Sequence, residues 1–440
     1  MAASVAICLA AFVWLVWTLR RDRLSLGLPI AYLFGLLLIH VPGAIAQIVG
    51  GDVLHFPEYT EIGIRFTAIG AVCFVLGAWI ARFGKPNASA SASASTQGYW
   101  TFCLLGGWLF TYGLSFLGRV PSVGAAVEKG GAVWMLGVML ALRAAVKRGD
   151  PMAIAIWLSA LAVYPTLMLL LGGFLSYGAT ASIIVLSVLV VSIRSHWRAA
   201  AGLMVATVLG FNLFLSYFEI RKELRDVVWG GASMSERVEV AEKIVQDFEW
   251  FDPSNERQLI AIDQRLNQNF FVGLAATRIE EGQADYLHGR SLWEGLLALV
   301  PRALWPDKPV YAGSPGIVME MTGLLLPETT SFGVGNVMEF HINYGIAGLV
   351  VGFLALGCVI GSLDRRAAIA EATGNLDRVF LYFLPAVALI QPNGSMVELV
   401  SGSAAALAAA FGWSWLWRQW SRRGTRSALR RNVVGHTGRT

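Results

Sequence analysis

The chain has 440 residues, of which 56% are hydrophobic and only 14% are charged. Soluble domains carry about 25% charged residues, so this composition excludes an ordinary soluble protein and indicates a polytopic membrane protein. The formal net charge of +5 is interpreted as an orientation signal and not as nucleic-acid binding.

Long apolar runs recur along most of the chain. A transmembrane helix needs about 20 such residues, and this criterion predicts an all-α polytopic membrane protein with about 11 transmembrane helices. The predicted spans are 2–19, 26–49, 62–81, 100–117, 131–146, 151–171, 174–193, 199–218, 338–361, 379–392 and 398–417. The resulting regions are helices 1 to 8 in 1–218, a long polar interval in 219–337, helices 9 to 11 in 338–417 and a basic tail in 418–440.

Basic residues are distributed unequally between the two sides of the predicted membrane. If the N-terminus is outside, the inside loops and the tail hold most of the Lys and Arg and few of the Asp and Glu. This is the pattern of the positive-inside rule. The run Arg20-Arg21-Asp22-Arg23 would anchor the first span, which predicts a retained helix and not a cleaved signal peptide. The interval 219–337 is therefore predicted to lie outside and the C-terminal tail in the cytoplasm.

The interval 219–337, here called the cap, is too rich in aromatic and aliphatic residues to be disordered. Loops longer than about 15 residues that are not disordered are usually functional. Residues 235–248 have the apolar spacing of an amphipathic helix that Ser235 could cap, and residues 255–281 indicate a second helix. The cap is therefore predicted to be mostly helical and to lie on the membrane surface.

Within the cap, the run from Gly289 to Pro309 places cationic residues among aromatic residues and prolines. Pro301, Pro306 and Pro309 each fix a backbone φ and remove a donor, so this part cannot be a regular helix. The apolar run before it, 292–300, could form a short helix at the membrane surface. The proline-containing part of the run from Gly289 to Pro309 is therefore predicted to form a rigid loop that holds its cationic side chains in fixed directions.

Four of the eight arginines in the cap recur at intervals of 13, 12 and 12 residues, and Lys308 follows them. Arginine binds phosphate oxygens in a bidentate way and keeps its charge. Converging arginines beside a bilayer would suit a pyrophosphate joined to a lipid. The alternative is that each arginine pairs with a nearby acid such as Glu280, Glu281, Asp285 or Glu294. The predicted substrate-binding residues in the cap are Arg265, Arg278, Arg290, Arg302 and Lys308.

Glu339, His341 and Asn343 form a polar group at the start of the ninth predicted span. Ionisable residues at such positions are costly and usually functional. Glu339 and His341 are the predicted catalytic residues, one of them acting as a base, and Asn343 is predicted to bind substrate. On a regular helix 339 and 343 share a face and 341 does not, so one common site would require local unwinding. The alternative is a capping cluster at a helix end. Asp307 and Asp285 are the next candidates for the base.

Several motifs are absent from the sequence. The sequence has no phosphate-binding loop, that is, no glycine-rich stretch ending in Lys followed by Ser or Thr. It also has no zinc-protease motif and no nucleophile-elbow motif. We therefore expect no nucleotide cofactor and a metal-independent site.

The chain resembles the Wzy-type polymerases, the oligosaccharide repeat-unit polymerases of bacterial envelopes. The resemblance is carried by the helix count, the single dominant outside loop, Gly289-Arg290, and the run Pro301-Arg302-Ala-Leu-Trp305-Pro306-Asp-Lys308-Pro309. Arg278 with Gly289 and Arg302 with Gly313 also fit the Arg–ten residues–Gly pattern of the family's outside loops, although here both lie in one loop and not in two.

This resemblance implies a GT-C-like fold in the bacterial inner membrane with a periplasmic cap. It implies an enzyme, a membrane glycosyltransferase, that transfers a growing O-antigen or exopolysaccharide chain from undecaprenyl pyrophosphate onto the next lipid-linked repeat unit. The implied partners are the lipid-linked donor and acceptor, the bilayer, a chain-length regulator and a flippase.

Two other functions are the alternatives to this one. An O-antigen-ligase-like enzyme would use the same donor with another acceptor. A non-enzymatic polysaccharide exporter would need polar residues at many mid-membrane positions, and few are present.

Overall fold

The computed structural model describes residues 1–22, 24–83, 96–114, 116–117, 123–173, 175–300, 304–305, 307–308, 315–325 and 333–436. Within these residues every regular element is helical. The helices, in chain order, are α1 (Ala2–Asp22), α2 (Leu28–Leu38), α3 (Val41–Gly50), α4 (Pro57–Ile80), α5 (Thr96–Trp108), α6 (Val123–Gly131), α7 (Val133–Arg148), α8 (Pro151–Gly172), α9 (Leu175–Ser192), α10 (His196–Trp229), α11 (Met234–Gln246), α12 (Glu256–Leu266), α13 (Asn269–Glu280), α14 (Arg290–Leu297), α15 (Pro315–Thr322), α16 (Asn336–Ala372), α17 (Leu376–Ala388) and α18 (Met396–His436).

Long apolar helices confirm the prediction of an all-α membrane protein. In the described part of the chain, 8 helical segments are long and apolar enough to cross a bilayer. They are Ala2–Asp22, Leu28–Gly50, Pro57–Ile80, Val123–Arg148, Pro151–Gly172, His196–Trp229, Asn336–Ala372 and Met396–Ser421. The expected count of about 11 is not confirmed. The three other predicted spans fall on α5, α9 and α17, which have 13, 18 and 13 residues.

The centre of the fold is the pair α4 and α16, which pack together more extensively than any other described pair. Glycines allow this close approach. A Cβ at Gly77 would overlap the carbonyl oxygen of Leu354, and a Cβ at Gly357 would overlap that of Phe74. Helices in membranes gain stability mainly from such close packing, because lipid tails are as apolar as the helix side chains.

Replacing Gly357 with alanine should therefore lower the free energy of unfolding by about 1–3 kcal/mol, the usual cost of overpacking. Gly412→Ala is the matched control, because Gly412 is also helical but nothing lies within 4 Å of its Cβ position. Thermal unfolding of the purified protein in detergent would measure both. Equal stability of the two variants would contradict this account of the α4–α16 interface.

A buried carboxylate joins three helices at the end of α1. Asp364 has no exposed surface and accepts hydrogen bonds from Ser25 Oγ at 2.6 Å, Leu26 N at 2.9 Å and Leu28 N at 3.1 Å. Arg82 lies 3.9 Å from the same carboxylate. A buried charge is tolerated only when it is paired and hydrogen-bonded. This network fixes the α1–α2 link against α4 and α16.

The cap helices differ in detail from the predicted ones. Helix α11 begins after Ser233, whose side chain accepts from Glu236 N in a capping box, so Ser233 and not Ser235 is the cap. The region 255–281, predicted as one helix, is the two helices α12 and α13. The predicted boundary between 218 and 219 falls inside α10, which continues to Trp229.

The break between α12 and α13 is explained by a buried polar network that no local pattern reveals. Asn267 Nδ2 donates to Thr60 Oγ1 at 2.9 Å, and Asn269 Nδ2 donates to the His40 carbonyl at 2.6 Å. The His40 ring shares a 2.8 Å hydrogen bond with Asn269 Oδ1. Because these asparagines satisfy polar groups of α3 and α4, the cap is joined to the membrane helices at this point.

Candidate functional site

A cleft of about 3080 Å³ lies between α2, α7, α8, α9, α10 and α12. Its walls are largely apolar, as at Phe34, Leu186 and Leu203. We call the end where α12 meets α10 the cap end, and the end formed by the α9–α10 link the linker end. Arginines line both ends. A large cleft with apolar walls and cationic ends has the polarity of a site for an amphiphilic anion.

Three arginines converge at the cap end: Arg221 and Arg225 of α10 and Arg265 of α12. The Arg265 guanidinium lies 5.4 Å from the ring centre of Phe218. Desolvation by the surrounding protein lowers the pKa of Arg265, and the positive charges of Arg221 and Arg225 lower it further. In the described part of the chain, no carboxylate lies within ion-pair distance of Arg221 or Arg265. Like charges held together in this way favour binding of an anion.

Arg278 and Arg290 do not line the cleft. Arg290 forms an ion pair with Glu320 at 2.5 Å. Arg278 donates to Gln283 Oε1 at 3.3 Å and contacts the backbone position of Gly323. Of these three predicted arginines, only Arg265 lines the cleft.

Lys308 and Arg302 are the two remaining cationic residues that the sequence predicted to bind substrate. Lys308 is 7% exposed, and its Nζ donates to the carbonyls of Ala298 at 3.2 Å and Val300 at 2.8 Å. It therefore stabilises the C-terminal end of α14, where helical carbonyls lack partners. Arg302 lies outside the described residues.

Glu339 and Asn343 share one face of α16, which faces α14 and α18. Asn343 Nδ2 donates to Ser291 Oγ at 2.8 Å and to the Glu339 carbonyl at 2.7 Å, and its Oδ1 accepts from Gly289 N at 3.0 Å. Glu339 is fully buried, and its Oε2 accepts from Met396 N at 2.7 Å. This carboxylate thus binds the positive N-terminus of α18. Its Oε1 is buried without a hydrogen-bond partner.

His341 faces α4, away from Glu339. Its ring stacks on Phe66 with the centroids 4.4 Å apart, and the Tyr286 ring lies 6.1 Å away. It is 5% exposed, and its Nδ1 is buried without a hydrogen-bond partner.

The helix that carries these residues is interrupted just after Asn343. Tyr344 and Gly345 have non-helical backbone angles, whereas residues 336–343 are helical. The Ile342 carbonyl accepts from Leu287 N at 2.8 Å instead of continuing the helix. The helix is therefore regular through Glu339, His341 and Asn343, and His341 remains on a separate face.

Neither Glu339 nor His341 lines the cleft, but Glu398 does. Glu398 is half-buried, and its Oε2 accepts from Ser395 N at 3.0 Å in a capping box at the start of α18. The Ser395-any-any-Glu398 spacing was visible in the sequence but indicates only a helix start. The next candidates for the base, Asp285 and Asp307, are both exposed.

Arg221 and Arg225 were also missed by sequence reasoning. Their signal was weak, consisting of two arginines one helical turn apart at the end of an apolar run. Such a pair is more often a membrane anchor than a site. The pair becomes part of a candidate anion-binding site only because the fold places Arg265 beside it.

Comparison with known proteins identifies no relative: no family model, curated protein or solved structure matches this sequence significantly. Among the described residues, no group of three His, Cys, Asp or Glu side chains is placed to hold a metal ion. The function is therefore inferred from the cleft and its charges.

Proposed function

We propose that this protein is a membrane glycosyltransferase that polymerises oligosaccharide repeat units carried on undecaprenyl pyrophosphate. The observation that carries the proposal is the group Arg221, Arg225 and Arg265 at the end of a cleft with apolar walls. A polyprenyl pyrophosphate has the complementary form, with a compact polyanionic head and a long hydrocarbon tail.

The proposed reaction uses these arginines directly. The acceptor hydroxyl attacks the anomeric carbon of the donor glycan, the bond from that carbon to the pyrophosphate oxygen breaks, and a base takes the hydroxyl proton. Negative charge develops on the departing pyrophosphate. Arginines held in place beside it would stabilise this charge without reorganisation.

Three carboxyl or imidazole groups are candidates for the base. Glu339 and His341 are predicted from the sequence, and Glu398 lines the cleft. Glu339 of α16 accepts from Met396 N, and Glu398 accepts from Ser395 N, so both carboxylates bind backbone N–H groups at the start of α18. The proposed partners are the lipid-linked donor and the lipid-linked acceptor of this reaction. A flippase and a chain-length regulator are proposed as further partners.

The function is tested by deleting the gene and sizing the surface polysaccharide. A polymerase predicts that single repeat units remain and long chains disappear. A ligase instead predicts polymer of normal length retained on its lipid carrier. An exporter predicts polymer accumulating in the cytoplasm, and either of these two results would overturn the proposal.

The proposed orientation places the protein in the inner membrane with the N-terminus and the cap periplasmic and the C-terminus cytoplasmic. Cysteine introduced at Ser254, which is exposed on the cap, should react with an impermeant thiol reagent in intact cells. Cysteine introduced at Ser427, in the C-terminal segment, should react only after the membrane is opened. Equal labelling at both positions would contradict the orientation.

A further inference from the structure

The linker end of the cleft carries a second cationic group, which the proposed reaction does not use. Arg20, Arg194 and Arg198 line it, and the His196 ring accepts a hydrogen bond from Arg20 Nε at 3.3 Å through Nδ1. The Arg20 guanidinium donates to the carbonyls of Val190, of Ile193 at 2.8 Å and of Arg194 at 3.3 Å. Arg20 thereby holds the end of α9 and the α9–α10 link, and so fixes the backbone that bears the other cations.

The acidic residues nearby do not neutralise this group. Glu371 lies 3.0 Å from Arg143 and 4.0 Å from Lys147, and Asp150 caps α8 by accepting from Ala153 N at 3.0 Å. Within the described ranges, no carboxylate lies within ion-pair distance of Arg194 or Arg198. The Oγ of Ser192, on the same lining, is buried without a hydrogen-bond partner. The linker end therefore has unneutralised positive charge and an unused polar group.

The two cationic ends lie about one bilayer thickness apart. Arg198 and Arg221 are both on α10, and the 1.5 Å rise per residue puts their backbones roughly 35 Å apart. The hydrocarbon core of a bilayer is about 30 Å thick. Trp197, which is 86% exposed, stands beside Arg198, and tryptophan is enriched at the membrane interface. A headgroup bound at the cap end therefore cannot also occupy the linker end.

We propose that the linker end binds the phosphate headgroup of an anionic phospholipid in the adjacent leaflet, with its acyl chains along the apolar walls of the cleft. Arginine and lysine between membrane helices suit a phosphate headgroup. Free phosphate shares this headgroup chemistry, but it would leave the apolar walls next to the cations uncovered. This site does not depend on the proposed polymerase function.

The test is retention of lipid by the purified protein, measured by native mass spectrometry with added phosphatidylglycerol or phosphatidylcholine. The wild-type protein should retain phosphatidylglycerol preferentially. The double variant Arg194→Gln/Arg198→Gln should weaken that retention by about tenfold or more, since each basic residue near an anionic lipid increases the affinity for that lipid.

The matched control is Arg366→Gln/Arg378→Gln, which removes two exposed arginines that do not line the cleft. It should retain phosphatidylglycerol as the wild type does. Equal retention of both lipids by the wild type, or equal losses in the two double variants, would overturn the proposal. Displacement of the lipid by inorganic phosphate at equal concentration would also overturn it, in favour of a free-anion site. If the first double variant fails to fold, the lipid preference of the wild type decides alone.

Discussion

Glu398→Gln should lower the rate of polymer formation by about 10²–10⁴-fold, the usual contribution of a general base. Glutamine also serves in a capping box, so the start of α18 should remain folded while proton acceptance is lost. The measurement is the initial rate of the purified protein with lipid-linked repeat units. A normal melting temperature of the variant would show that the loss is chemical.

Glu339→Gln and His341→Phe are the matched tests of the residues predicted from the sequence. Glutamine can still accept from Met396 N, and phenylalanine can still stack on Phe66, so each change keeps the packing and removes the titrating group. A large loss of rate for Glu339→Gln, with a normal rate for Glu398→Gln, would identify Glu339 of α16 as the base. Normal rates for all three variants would leave Asp285 and Asp307 as the candidates.

Arg221→Gln combined with Arg265→Gln should lower kcat/KM by about 10²-fold or more. A hydrogen bond to a charged group contributes about 1.5–3 kcal/mol, and this variant removes two arginines from the proposed pyrophosphate site. Arg265→Lys should also be impaired, because lysine keeps the charge but loses the bidentate geometry. Binding of a polyprenyl pyrophosphate to the purified variants should weaken in parallel.

Lys222→Gln is the matched control, because Lys222 is the exposed neighbour of Arg221 on α10 and does not line the cleft. Its activity should match the wild type. If instead Arg278→Gln or Arg290→Gln causes the large loss while the cleft variants are normal, the pyrophosphate binds beside α15. The sequence-based prediction would then describe the site better than the cleft does.

The membrane class of this protein and most of its helices could be predicted from the sequence, because both depend on local properties. An apolar run long enough to span a bilayer forms a helix wherever it occurs, since no other conformation satisfies the backbone there. Helices α11 and α14 were likewise recognisable, α11 from its amphipathic spacing and α14 from an apolar run. The prediction erred where distant residues intervene, as at Asn267 and Asn269, whose bonds to His40 and Thr60 divide a helix that its own sequence would continue.

The candidate site could be predicted only in part, for the same reason. The sequence alone predicted arginines as substrate-binding residues, with Arg265 among them, and it placed polar residues at the start of α16. Only the tertiary structure decided that Arg265 lies beside Arg221 and Arg225, that Arg290 is paired with Glu320, and that Lys308 is used to cap α14. Whether an arginine binds a ligand or an acid depends on which charges are close in space, and Coulomb interactions fall off with distance in space and not with separation along the chain.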